Sequence, residues 1–264
     1  MTKILLSFDL EEFDIPEEFG DTMTEAQKLS VTVDGMKVLL AVLERQQVTA
    51  TFFTTAFFAE AHPELIRLIS SNHEIASHGF YHSSFEPGDI VKSKKSLEQI
   101  TGLLVTGFRM ARMVPLDETL LAKAGYTYNA SLNPTFIPGR YNNLRKPRLP
   151  FQASGLVHLP ASVALWFRVP LFWISFKVLP FSIYKRLALR VLKKDNYLNI
   201  YFHPWEFTDI SNFKIPSYTK TICGPELTRR FENLISFLKD HGQFVRSHDY
   251  SSDYLKLQKN SYEG

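Results

Sequence analysis

The chain has one cysteine, Cys223, in 264 residues. A single thiol closes no internal disulfide and anchors no cysteine-based zinc site, so covalent stapling plays no part in stability. An excess of one charge is also missing: 30 basic residues stand against 27 acidic ones, a formal net charge of +3. Basic residues run no further than pairs such as Lys94-Lys95 and Lys193-Lys194. This balance argues against nucleic acid as a partner. No internal repeat, low-complexity segment or charge block marks a linker. The opening "MTKILLSFDLEEFD" offers only about four apolar residues before acid appears, short of a secretory core, so a cytoplasmic protein is expected.

Long hydrophobic runs are absent too. The most apolar stretch, Ala161 to Lys194, is interrupted by Arg168 and Lys177 and broken by Pro170 and Pro180, so nothing reaches the roughly 20 residues that span a bilayer. It reads as a buried, apolar helical insertion over about 161–194. The alternative is a surface in peripheral contact with the inner face of a membrane. Trp166, Phe167, Phe172, Trp173 and Phe176 would then lie on one side, with Lys185, Arg186, Arg190, Lys193 and Lys194 nearby.

What the chain does have is core material: 45% hydrophobic and 14% aromatic residues suit one domain spanning residues 1–264. Strand-like segments ("KILLSF", "VTATFFTT", "EIASH", "VTGFR", "YTYNASL", "LVHLPAS", "YLNIYFH", "QFVRS") alternate with helical ones. Alternation of this kind predicts an α/β fold with parallel pairing, a distorted (β/α) barrel of about seven strands. Residues 133–155, rich in proline, read as a long loop over one end of it.

In such a barrel, chemistry gathers at the carboxyl ends of the strands. There the sequence places Asp9, Glu11, Glu12 and Asp14, then His78 and His82, then Arg109, then His203. If "HGFYH" turns helically, its two histidines share a face and reach one ion. A third ligand from the Asp9 to Glu12 cluster would complete a two-His, one-carboxylate set. A cation would also explain why so many carboxylates are packed together.

"SFDLEE", "ATFF", "HEIASHGFYH", "GFR" and "IYFHPWEF" together resemble the polysaccharide deacetylase family (NodB homology, carbohydrate esterase family 4) in order and rough spacing, from Lys3 to about Arg246. The resemblance implies a metal-dependent N-deacetylase acting on an acetylated amino sugar in a glycan or a lipid-linked precursor. It implies Asp9 as general base, Glu11 (with Glu12 as fallback), His78 and His82 as ligands of one divalent ion, Arg109 as the partner of Asp9, and His203 as general acid. Zinc is the expected ion; Co, Ni, Mn and Fe share the ligand preference. Trp205 and Glu12 are expected at the substrate. Two departures stand out. "RMARM" replaces the family's R-x-P, and His158 stands where many members carry an acidic residue that orients the catalytic histidine. Two alternatives follow: a hydrolase of a non-sugar amide, or a carbohydrate-binding relative without turnover.

Overall fold

The computed structural model describes residues 2–260. Eleven strands are present among them: β1 (Lys3–Leu10), β2 (Thr51–Thr54), β3 (Glu74–Ser77), β4 (Gly107–Phe108), β5 (Tyr128–Asn129), β6 (Phe136–Ile137), β7 (Tyr141–Asn142), β8 (Phe151–Ala153), β9 (Leu156–His158), β10 (Tyr197–Phe202) and β11 (Gln243–Val245). The main sheet runs β10-β1-β2-β3-β4-β5-β9-β8, with β11 also paired to β1. Every pairing in it is parallel except β8 with β9. The sheet curls into a partly open barrel flanked by helices, the expected architecture with one antiparallel strand at its edge. Across the opening, the Asn199 side chain donates to the carbonyls of Leu159 and Pro160, and Ser162 N–H donates to the Asn199 carbonyl.

Period-2 alternation in β1 explains both layers. Ile4, Leu6 and Phe8 face outward into the main core, where Phe8 stacks on Phe52 with ring centroids 5.1 Å apart and meets Phe231 edge-on at 6.0 Å. Leu5 joins Phe53, Ala76, Tyr128 and Val157 in a second cluster, packed against Tyr250 and Tyr254 from the helix Ser247–Asn260. Ser7 and Asp9 share the parity of Leu5, so the strand delivers a carboxylate to the barrel's inner mouth. Both faces of β1 are buried, which accounts for its nearly unbroken apolar run.

The helix Glu25–Gln46 starts on a capping box, Thr24 accepting from Gln27 N–H and the Gln27 side chain accepting from Thr24 N–H. Its Gly35 lies against the turn Pro204–Phe207, where a Cβ would fall 1.9 Å from the Pro204 carbonyl oxygen. Gly35→Ala is therefore expected to lower Tm, with overpacking of about 1–3 kcal/mol or more outweighing the gain in helix propensity. Turnover should fall with it, since that turn carries His203; thermal melts and kcat check both.

A pH effect arises at β2. His73 Nδ1 accepts from Ala50 N–H at 3.3 Å, a bond only the neutral ring can make, and burial lowers its pKa from 6.5 to about 4. Its contribution to stability is full above 6.5 and is lost as pH falls toward 4. His73→Gln should lose less stability than wild type between pH 7.5 and 5, read as urea midpoints.

Two regions differ from expectation. The 133–155 loop contains a short antiparallel hairpin, β6 with β7, and the edge strand β8. The 161–194 segment is not helical throughout. Residues 162–171 form an extended hairpin, followed by helices Trp173–Val178 and Phe181–Asp195. The second of these leads into β10 as a crossover helix of the barrel. Phe172 and Phe176 are buried while Trp166 and Phe167 are exposed, so the proposed aromatic side is split between core and surface. No helix among the described residues is long and apolar enough to cross a membrane.

Candidate active site

The carboxyl ends of β1, β3, β4 and β10 converge on a cavity of about 220 Å³. Asp9, Glu11, His78, His82 and His203 line its floor. The two histidines do not share a helix. Gly79, at φ +84°, turns the chain in the left-handed region, and the loop is pinned by Ala56 N–H and Phe57 N–H donating to the Gly79 and Phe80 carbonyls. That loop brings the rings within 6.0 Å, nearly parallel.

Each ring has one nitrogen committed outside the cavity. His78 Nδ1 donates to the Arg109 carbonyl at 2.8 Å, and His82 Nδ1 donates to Asp14 Oδ1 at 2.8 Å. Both Nε2 atoms then face one oxygen, Glu11 Oε2, at 3.1 Å each. Glu11, His78 and His82 offer three buried donor atoms that lie within 4.8 Å of one another. Burial opposes a charge on His82, but Glu11 and Asp14 push its pKa up to about 9. The same carboxylate field favours a divalent ion in place of that proton, and the orientation of both rings by outward hydrogen bonds suits metal ligation.

Asp9 sits beside this set. Arg109 binds Asp9 Oδ1, donates to Ser7 Oγ at 2.9 Å, and lies between the rings of Phe53 and Tyr201, 4.0 and 4.9 Å from their centroids. Burial alone would raise the Asp9 carboxyl, but Arg109, His78 and His203 carry it below its ordinary value. Its free oxygen, Oδ2, lies 4.0 Å from His78 Nε2 and 3.9 Å from His203 Nε2.

His203 is oriented from its own turn. Glu206 Oε1 accepts from His203 N–H at 2.7 Å and from Nδ1 at 3.0 Å, leaving Nε2 toward Asp9 and Glu11. Behind Glu206 is Lys177, 2.8 Å from Oε2; both are fully buried. Burial works against the charged His203 ring, yet Glu11, Glu206 and Asp9 raise its pKa. Glu206 itself is lowered against its burial by Lys177 and His203.

Several expectations are corrected here. His158 has no part in orienting His203: it stacks on Phe151 at 4.5 Å and faces Glu118. Glu206 holds the ring instead, and the spacing His203-Pro-Trp-Glu206, that of a capping box, was the signal that could have revealed it. Glu12 is not part of the cavity lining; burial raises its pKa and Thr55 Oγ1 donates to it at 2.6 Å. Trp205 is fully buried, stacked on His203 at 4.7 Å with its N–H toward Glu11 Oε1, so it offers no face to a sugar. Trp173, edge-on to His203 at 5.0 Å, is the tryptophan that lines the cavity. In "RMARM", Arg112 and Met113 take φ near +50°, and Arg112 reaches Asp14 and Glu18 at 3.1 Å each.

The sequence model of the polysaccharide deacetylase family matches residues 21–129, which include His78, His82 and Arg109. The match spans 109 of the 264 residues, and over that stretch the chain resembles the family. No curated protein matches it in sequence. Among solved structures, the chain is similar to a candidate polysaccharide deacetylase from Mycobacterium smegmatis, with 21% identity and TM-score 0.69 over 97% of this chain and 91% of that one. A candidate polysaccharide deacetylase from Pseudomonas aeruginosa PAO1 aligns with 18% identity and TM-score 0.69 over 96% and 91% of the two chains. The allantoinase PuuE aligns with 18% identity and TM-score 0.68 over 95% and 89%. These likenesses establish the shared fold.

Proposed function

We propose that the protein is a metal-dependent N-deacetylase that hydrolyses the acetamide of an N-acetylated amino sugar in a polysaccharide, an oligosaccharide or a lipid-linked glycan precursor. The observation that carries this reading is the junction in one cavity of the Glu11, His78 and His82 donors with the Asp9 carboxyl and the His203 imidazole, each of which turns a free atom toward the set. A divalent ion held by those three donors, zinc by preference, would supply a Lewis acid for the acetyl carbonyl and for the attacking water.

The chain's own residues do the rest. Asp9, kept ionised by Arg109, accepts the proton of the water at Oδ2. Arg109 occupies the other oxygen and fixes the carboxylate's direction. His203, held charged and aimed by Glu206, donates its Nε2 proton to the departing sugar nitrogen. Trp173 and buried Trp205 flank the imidazole and keep bulk water from it.

The test is release of free amine from acetylated amino-sugar oligomers by protein loaded in turn with Zn, Co, Ni, Mn and Fe. Deacetylation by wild type and none by Asp9→Asn is expected; the absence of release from any acetylated sugar would overturn the reading. An apolar wall of Ile15, Met113, Ile137, Phe172 and Ile174 favours a second reading, a small non-sugar amide as substrate. Turnover of simple amides without turnover of sugars would select it.

A further inference from the structure

We propose that the hairpin tip Trp166–Phe167, with the neighbouring cationic loop, is a docking site for the surface of an anionic lipid bilayer. Residues 162–171 fold back on themselves through the Val163–Pro170 bridge and hydrogen bonds from Ala164 to Val169 and from Leu171 to Ser162. At the tip, Trp166 is 78% and Phe167 93% exposed, among the most exposed large apolar side chains of the described residues. Phe167 and Arg168 take φ of +59° and +48°, a conformation non-glycine residues seldom adopt. The fold thus holds two aromatic rings out in water.

The tip is anchored rather than loose. Arg168 donates to the carbonyls of Pro134 and Lys146 at 3.2 and 2.8 Å, and its own carbonyl accepts from Thr135 Oγ1 at 2.7 Å. These bonds clamp it to the 133–149 loop, whose exposed residues include Phe136, Leu144, Arg145 and Lys146. Rigid aromatics beside cations are what the headgroup and acyl boundary of a bilayer accommodates.

Charge distribution selects a membrane as the occupant. Residues 119–194 contain 12 Lys and Arg and no Asp or Glu, although the whole chain carries only +3. The remainder therefore carries a net charge of −9; within the segment Lys177 is buried against Glu206 and Arg140 and Arg148 pair with Glu18 and Asp195, while Arg145 and Lys146 are exposed beside the tip. The hairpin also leads straight into Phe172, Trp173 and Ile174, which line the cavity. Docking through the tip would bring the cavity to a substrate held in the membrane. That consequence, a lipid-linked glycan, rests on the function proposed above; the docking itself does not.

The experiment is co-sedimentation of the full chain with vesicles of phosphatidylcholine alone and with 30% phosphatidylglycerol (about a third anionic lipid, where polybasic attraction is strong), read together with tryptophan emission. Trp166 is the exposed tryptophan, so emission should shift to the blue on binding anionic vesicles. The double variant Trp166→Ser/Phe167→Ser should lose at least about tenfold in partitioning. Arg145→Glu/Lys146→Glu should lose about as much, and added salt should weaken wild-type binding. Retention of the wild-type circular dichroism spectrum checks folding. No binding to anionic vesicles, equal binding by the tip variant, or self-association that depends on the tip would each overturn the proposal. Because no turnover is measured, failure here leaves the hydrolase reading separately testable.

Discussion

Asp9→Asn is expected to lower kcat by about 10²–10⁴-fold, the range a positioned general base supplies. The substitution keeps the shape of the side chain and removes its basicity. Arg109 would still reach the amide oxygen, so the guanidinium stays between Phe53 and Tyr201, where it is held by Ser7 and by the Ala130 carbonyl as well. Asp9 is 4.0 Å from His78 Nε2 and is not one of the three converging donors, so the ion should stay bound. Steady-state kinetics with metal content measured on the same samples checks both halves. Near-normal turnover, or loss of the ion with the loss of rate, would remove Asp9 from the role of base.

Glu206→Gln has the second large effect, and it separates orientation from stability. The amide oxygen can still accept from His203, but the charge that sustains the imidazolium is gone and Lys177 is left buried without its counterion. Stability should fall by about 3–5 kcal/mol, the usual cost of breaking a buried pair from one side. Turnover should fall roughly 10–100-fold at unchanged KM, part of what a positioned acid contributes. Glu206→Gln/Lys177→Met removes both charges and should recover most of the stability. It should not recover kcat. If restored stability restores the rate, Glu206 only props the fold.

Much of this arrangement could be read along the chain. β1 announces itself by an apolar run that stops at Asp9, and period-2 parity puts Asp9 on the inner face with Leu5 and Ser7. His78, Arg109 and His203 could be placed because parallel strands carry the residues that follow them to a common rim. What failed depended on contacts between distant segments. Nothing local in "HGFYH" distinguishes a helical turn from a left-handed Gly79 loop. The partner of Glu206 lies 29 positions away at Lys177, inside a stretch whose hydropathy suggested a buried helical insertion or a membrane-contacting surface and no ion pair. The choice between Trp173 and Trp205 as the cavity aromatic turned on packing around His203, which composition does not encode. The β6–β7 hairpin was missed because two-residue strands give no periodicity to detect.

The central claim is that Glu11, His78 and His82 hold a divalent ion. Elemental analysis of the purified wild type against His78→Ala/His82→Ala, each first stripped and then reloaded with Zn, Co or Mn, tests it most directly. About one ion per wild-type chain, as expected of a single site with three protein ligands, and none in the double variant is the predicted result. No ion in the wild type after reloading, or an equal amount in the variant, would contradict it.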